Sequence, residues 1–572
     1  MEHSRLIALG ALVAAVACSS GPPPEVPAPE VGGARAAAPT AAAITTADLE
    51  MHLRAFAHDS MMGRESGELG NHLATAYIAA EAARLGLEPA GDDGSYFQTV
   101  PLVQRALDPE ASVGVGGAEF ELGADYLPVP GMGGLLPFGS AGSLDGVETI
   151  FAGRASDATP ALTAEQVAGK LVVLDAPIGP AGEPDLQAWN PFALRAYSSA
   201  AGIAVALLEL IPPAWTRMLV RPQTALAGGG EQQEGPLGMI VTRETAARLL
   251  GGSLEDASIG DTGPTLEGTF RFVERPAAHA ARNVVGILRG ADPSVRDQYV
   301  AIGAHTDHVG TTERPLDHDS VWAFNHIVRP MGAESPMRQP TAEEAATIRQ
   351  LRASFQTIRP ARLDSVFNGA DDDGSGSVAM LEIAEAFIDA EQRPRRSILF
   401  VWHTAEEKGL YGAGWYTDHP TVPRDSIVAQ LNLDMVGRGM EDDIEGGGPG
   451  YLQLIGSRRL STELGDLVEE VNAAGRFGFQ FNYEYDADGH PQNYYCRSDH
   501  WMYARYGIPV VFFSTGSHQD YHQLTDEPGY IDYEKLRDVS KLIYAIAERI
   551  ANLDHRLVVD KPKPDPNAPC RQ

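Results

Sequence analysis

Four stretches in the second half of the chain, QYVAIGAH, SILFVWHT, IVAQLNLDM and IPVVFFSTG, are unbroken apolar runs of strand length. A strand with one wet face alternates apolar and polar residues, so a run that does not alternate is covered on both sides. NVVGILRG has the same texture, and SVAMLEIAEAFIDA has the spacing of an amphipathic helix. Interleaved in this way, they predict an α/β fold with a mostly parallel mixed sheet sandwiched by helices. Ligands of such sheets bind beyond the carboxyl ends of the strands.

Residues able to bind metal stand at those ends. His305 follows QYVAIGA, Glu406 and Glu407 follow SILFVWHTA, Asp434 ends IVAQLNL, and His522 lies in the loop after VVFFSTG. Asp372, in NGADDDGSG, precedes a helix that starts near Ser375. Each has an ordinary reading by itself: a hydrogen-bonded loop histidine, an acidic turn and N-cap, a solvated pair of acids. Asp434 is the sharpest, because a carboxylate closing a fully apolar strand must be paired, protonated or metal-bound. Jointly, two histidines and three carboxylates with one acid to spare suit two divalent ions and a general base. Zinc takes imidazole nitrogen and carboxylate oxygen, and two ions can share a carboxylate and acidify water. One of the adjacent acids Glu406 and Glu407 can then bind metal while the other accepts a proton. The absence of cysteine among the candidates fits a catalytic rather than a structural zinc site.

At 572 residues the chain exceeds what one core supports, so two domains with tails are expected. A net charge of -33, with no Lys/Arg cluster to offset it, excludes nucleic-acid binding through a basic surface. Residues 1–18 read as a signal peptide, because LIALGALVAAVA is too short to span a bilayer and ends in small residues before Cys18. The ending AVAC resembles a bacterial lipoprotein box, which would place a lipid anchor on Cys18 and the protein in the cell envelope, as a periplasmic or outer-membrane lipoprotein; plain secretion is the alternative. Residues 19–45, rich in Pro, Ala and Gly, read as a flexible tether. Cys496 and Cys570 could pair in an oxidising compartment, but Cys570 sits in the polar tail KPKPDPNAPCRQ, so the expectation leaves them unpaired and residues 557–572 disordered.

The segment from TTADLE to LGLEPAG reads as helical, with Thr46 or Asp48 as cap and Gly86 as stop. Between 128 and 276 short apolar strands such as GKLVVLDAP and GPLGMIVTR alternate with Gly-rich turns, which predicts an inserted strand-rich domain. The main domain then comprises 46–127 and 277–556.

The ordered set H-x-D, A-D-D-D-G-S-G, A-E-E-x-G-L-x-G, N-L-D-M-V-G-R and D-Y-H resembles the co-catalytic dizinc aminopeptidase family, relatives of which include glutamate carboxypeptidase II, glutaminyl cyclase and the transferrin receptor. The resemblance covers about residues 46 to 550, and the inserted region resembles a protease-associated domain. It implies two zinc ions per chain, with His305 and Asp434 on one, Glu407 and His522 on the other, and Asp372 bridging. It implies Glu406 as general base and Asp307 as the residue that orients His305. Arg497 and Tyr521 match positions that in some relatives stabilise the oxyanion. His308, His318, His326, His403, His500 and His518 find no vacant place in this ligand set.

The implied function is an exported zinc exopeptidase, an aminopeptidase acting on the N-termini of peptides or proteins. A carboxypeptidase or a glutaminyl cyclase on the same scaffold, or a non-catalytic receptor-like protein, are the alternatives. The carboxypeptidase reading needs a cationic pocket for which no arginine cluster is evident. The stretch 310–368 between His305 and Asp372 is too long for a simple loop and contains the helix-like TAEEAATIRQLRASFQTI. It either folds over the metals or packs away from them.

Overall fold

A computed structural model of the chain describes residue 40 and residues 43–572, apart from 130–137, 140, 156–160, 180–183, 186–190, 212–215, 217–219, 229–234 and 337. The expected signal peptide, Cys18 and most of the tether lie outside the described residues.

The apolar runs form the centre of one mixed sheet. Its core order is Ala281–Leu288, Ser397–His403, Tyr299–His305, Ile427–Leu433, Val510–Ser514 and Tyr451–Ile455. The four strands from Ser397–His403 to Val510–Ser514 are mutually parallel, and the strands flanking them run antiparallel. Both faces are covered, as the lack of alternation requires. Val300, Ile302 and Phe400 pack into one core with the helices Gly376–Asp389 and Tyr533–Ala551. Tyr299, Ala301 and Leu399 pack into another with Tyr416 and Tyr503 on the opposite side. Each large side chain so buried contributes about 1.5–3 kcal/mol. This gives the main body the expected α/β architecture.

The N-terminal segment forms two helices, Thr46–Phe56 and Leu69–Leu85. The first is capped by the Thr45 hydroxyl, which accepts from the Asp48 backbone N–H, and the second stops at the left-handed Gly86.

A second sheet begins earlier than expected. Leu102–Leu107, within the stretch expected for the main domain, pairs with Gln223–Leu226 and with the long strand Thr262–Pro276. The short strand Phe97–Val100 still belongs to the main sheet, where Val100 pairs with Ala281 in antiparallel register. The expected strands at Leu171–Asp175, Gly202–Ala206 and Leu237–Val241 are parallel neighbours, followed by the helix Arg243–Leu250.

The long stretch before Asp372 folds as an antiparallel pair, Thr311–Asp317 and Leu363–Val366, bracketing the helices His318–Val328 and Ala342–Ile358. It packs onto the loop that carries His522. The Ala333 N–H donates to the Tyr521 carbonyl at 3.0 Å, and Asn325 Nδ2 donates to Gln523 Oε1 at 3.1 Å. Gly332, at φ +55°, permits this approach, since a Cβ there would stand 2.4 Å from the Tyr521 carbonyl oxygen.

Two expectations fail at the C-terminus. Cys496 and Cys570 form a disulfide. The tail is also ordered, with Gln572 Nε2 donating to the Tyr485 carbonyl at 2.6 Å and Gln572 Oε1 accepting from the Tyr495 N–H at 2.9 Å. Polar composition argued for disorder, but the covalent tie and these terminal bonds hold the segment against the body. Among the described residues, no helix is long and apolar enough to cross a membrane.

Candidate metal centre

All five expected ligands converge at the carboxyl edge of the parallel strands. His305 Nε2 lies 3.2 Å from Asp372 Oδ1 and 3.7 Å from Asp434 Oδ1. His522 Nε2 lies 2.9 Å from Asp372 Oδ2 and 2.9 Å from Glu407 Oε2. The two oxygens of Asp372 therefore face two separate donor groups. Glu406 lines the same cleft as Asp372, Asp434 and His522.

Local structure fixes each group. His305 is the last residue of its strand, and its carbonyl accepts from Ser377 Oγ at 2.6 Å. Asp434 directly follows the strand Ile427–Leu433, and its Oδ2 accepts from Ser498 Oγ at 2.7 Å. The backbone N–H of Asp372 donates to Asp526 at 3.1 Å, and the peptide between Asp372 and Asp373 is cis. Asp307 does more than face His305. Its carboxylate accepts from the backbone N–H groups of Glu406 at 3.1 Å and Glu407 at 3.3 Å, while His305 Nδ1 meets the Asp307 carbonyl at 3.1 Å. One residue thus orients both a histidine and the acid pair.

Three participants escaped the sequence reading. His308 Nδ1 stands 2.9 Å from Glu407 Oε1 and 3.7 Å from Asp372 Oδ2, inside one of the two candidate metal-holding groups. The ligand set implied by the resemblance has no place for it, and its one signal in the sequence is its position three residues after His305 in HTDH. Asp373 falls within the other group, but its carboxylate already accepts from the backbone N–H groups of His305 and Gly376, both at 3.0 Å. It braces the site. Arg64 is fully buried and donates to the carbonyls of Thr306 at 2.9 Å, Asn368 at 2.5 Å and Gly369 at 2.8 Å. It ties the His305 loop to the Asp372 loop, and nothing in its sequence neighbourhood announces this.

The electrostatics demand positive charge. Burial pushes the Glu406 carboxyl well above its ordinary value, and nearby Asp434 and Glu407 push the same way against the pull of His305. At His305 burial acts to lower the pKa, yet Asp434 and Asp372 outweigh it and hold it well above the usual range. His522 behaves alike under Glu407 and Asp372. Buried carboxylates crowded in this way around imidazoles, with Asp372 Oδ2 lacking a hydrogen-bond donor, fit divalent cations with oxygen and nitrogen ligands. The residues present suit zinc.

At the rim, the Tyr521 ring stacks on His522 at 4.1 Å between centroids. Arg497 Nη2 donates to the Tyr521 hydroxyl at 3.3 Å. Burial raises the Tyr521 pKa well above its ordinary value, and Asp372 and Glu407 add to the shift.

Residues 283–547 match the model of peptidase family M28. Leupeptin-inactivating enzyme 1 of Streptomyces exfoliatus is 33% identical over 160 residues, covering 27% of this chain and 32% of that protein. An aminopeptidase of Pseudomonas aeruginosa is 42% identical over 80 residues, or 14% of this chain and 15% of that one. The chain thus spans about a third or less of the length of these two curated relatives. Among solved structures, an aminopeptidase from Aneurinibacillus sp. strain AM-1 aligns with a TM-score of 0.47 at 15% identity, covering 91% of this chain and 97% of that one. The stretch 283–547, somewhat under half of the chain, is thus similar to peptidase family M28.

Proposed function

We propose that the chain is a zinc-dependent aminopeptidase that holds two ions per chain. The observation that carries the reading is Asp372, whose Oδ1 faces His305 and whose Oδ2 faces His522, so that one carboxylate serves two donor groups. His305 and Asp434 would complete one position, and Glu407 and His522, with His308 beside them, the other. Zinc in these positions supplies Lewis-acid polarisation of a carbonyl and acidification of water. Glu406 takes the proton of the attacking water and returns it to the leaving amine, a role its raised pKa suits. Tyr521 stays protonated and donates to the developing oxyanion, with Arg497 behind it. Asp307 and Ser498 hold the acids in place. Cleavage at the N-terminus is the choice that agrees with the aminopeptidase named among the relatives. We read the second sheet as a protease-associated-like unit, and export through the N-terminal leader with lipidation at Cys18 as the route to the cell envelope.

Metal analysis of the purified chain is expected to give about two zinc equivalents, as a two-metal centre requires. Aminoacyl chromogenic amides should be cleaved and a chelator should abolish it. Cleavage of N-blocked peptides with free C-termini, and none of the amides, would sink the assignment.

A further inference from the structure

Arg497 is the one lysine or arginine among the described residues lining the cleft. A cation there, beside the stacked Tyr521 and His522, is placed to receive a carboxylate lying just past the scissile bond, as the C-terminus of a dipeptide would. It does not stand free. Its Nη1 forms an ion pair with Glu334, a residue from the stretch between His305 and Asp372. Its Nη2 is engaged by Tyr521, and its guanidinium lies 5.1 Å above the Tyr494 ring. Glu334 is itself fixed. Its side chain is only 5% exposed, and its second oxygen accepts from the Tyr494 hydroxyl at 2.6 Å. The turn that bears it, Gly332–Glu334, is bonded to the Tyr521 carbonyl through the Ala333 N–H.

We propose that Glu334 is a specificity-determining residue: by occupying Arg497 it removes the cation that would reward a substrate carboxylate, and so turns the cleft away from free dipeptides towards longer or C-terminally blocked chains. The inference rests on the aminopeptidase reading for its substrate class, while the pairing itself is geometric. Charge explains the direction. A carboxylate approaching the paired arginine meets Glu334 at nearly the same place and must displace it. With a neutral amide at 334 the guanidinium keeps its position over Tyr494 and gains an open partner site. A charge-assisted bond to arginine then favours the acid over the corresponding amide by roughly tenfold, a difference of about 1.4 kcal/mol.

The test compares leucyl-glycine with leucyl-glycinamide, which share the scissile bond and differ in the terminal charge. Glu334→Gln should raise the acid-to-amide ratio of kcat/KM by about tenfold, with the amide rate within about threefold of wild type. In an Arg497→Gln background the same change should leave the ratio where it was. Calorimetric titration of both peptides into zinc-loaded Glu406→Gln protein, with and without Glu334→Gln, reads the preference without turnover. An unchanged ratio in the well-folded Glu334→Gln variant overturns the proposal, as does a shift that persists without Arg497 or an equal loss on both peptides. If the wild type cleaves neither peptide but the binding ratio still shifts, the aminopeptidase reading fails and the role of Glu334 stands.

Discussion

Arg64 offers a quantitative test of how the metal loops are held. Its guanidinium reaches four buried carbonyls, those of Thr306, Asn368, Gly369 and, at 3.4 Å, Asp372, and lies 4.6 Å over the Phe56 ring; the Gly369 carbonyl also accepts from the Gly374 N–H at 3.2 Å. Burial lowers its pKa to about 10, so it remains charged at neutral pH, where Asp526, Asp372, Asp373 and Asp307 surround it. Arg64→Met keeps the stem against Phe56 but removes every donor. Gly369 keeps its second donor, and the carbonyls of Thr306, Asn368 and Asp372 lose theirs; each buried acceptor left unpaired costs about 1–3 kcal/mol, so these give about 3–9 kcal/mol, a large part of the ~5–15 kcal/mol that holds a typical protein together. Loss of the countercharge adds in the same direction. Urea unfolding of the metal-free protein should therefore show a loss of at least ~3 kcal/mol, and Arg64→Lys, which keeps the charge and some of the donors, should recover part of it. Zinc content should fall with stability, because the same guanidinium ties the loop after His305 to the loop that bears Asp372. A loss below ~1 kcal/mol with full zinc content would refute the reasoning, since it would mean that solvent satisfies those carbonyls unaided.

Other outcomes follow from single groups. Glu406→Gln should keep its zinc and lose at least about a hundredfold in turnover, whereas Asp372→Ala should lose zinc; near-wild-type rates in the first variant would remove Glu406 from its role. Glu382 is pushed up to about 8 by burial, helped by Asp48 and Glu385 and opposed by Arg84, with a neutral His52 at 3.6 Å. Between its ordinary value of 4.5 and about 8 the folded state holds a proton that the unfolded state releases, so stability falls as pH rises through this window. The slope from this group is up to ~1.4 kcal/mol per pH unit, and Glu382→Gln should flatten the profile of unfolding free energy against pH; parallel profiles would contradict it. Reduction of the disulfide opens a link between residues 74 apart, which a chain-entropy account values at about 4 kcal/mol. Limited proteolysis should then release the C-terminal tail first, and equal resistance in both redox states would argue against its being pinned.

What could be read in advance follows from where each residue acts. The strands of the main sheet were legible because burial on both faces leaves an unbroken apolar run, and Asp434 stood out because a charge there needs a partner. The place of Leu102–Leu107 in the second sheet was not, because PLVQRAL neither alternates nor runs apolar throughout and its partners lie more than a hundred residues away. Arg64 and Asp526 act on backbone groups, which every sequence supplies, so no pattern points to them. His308 directly follows Asp307, and only the folded loop brings its ring to Glu407. The tail was misread because composition reports solvation preference and is silent on one covalent bond.

The antiparallel pairing of Val100 with Ala281 places the departure and return of the second-sheet unit side by side on neighbouring strands, a separation of about 5 Å. Such a junction has the geometry of a hairpin, so a tight turn of a few residues could replace everything between them without disturbing the strands on either side. The unit is thus connected like an interchangeable cassette. A trimmed chain joined between Val100 and Ala281, where both side chains are buried, is a practical starting point for grafting a different module onto the same main sheet.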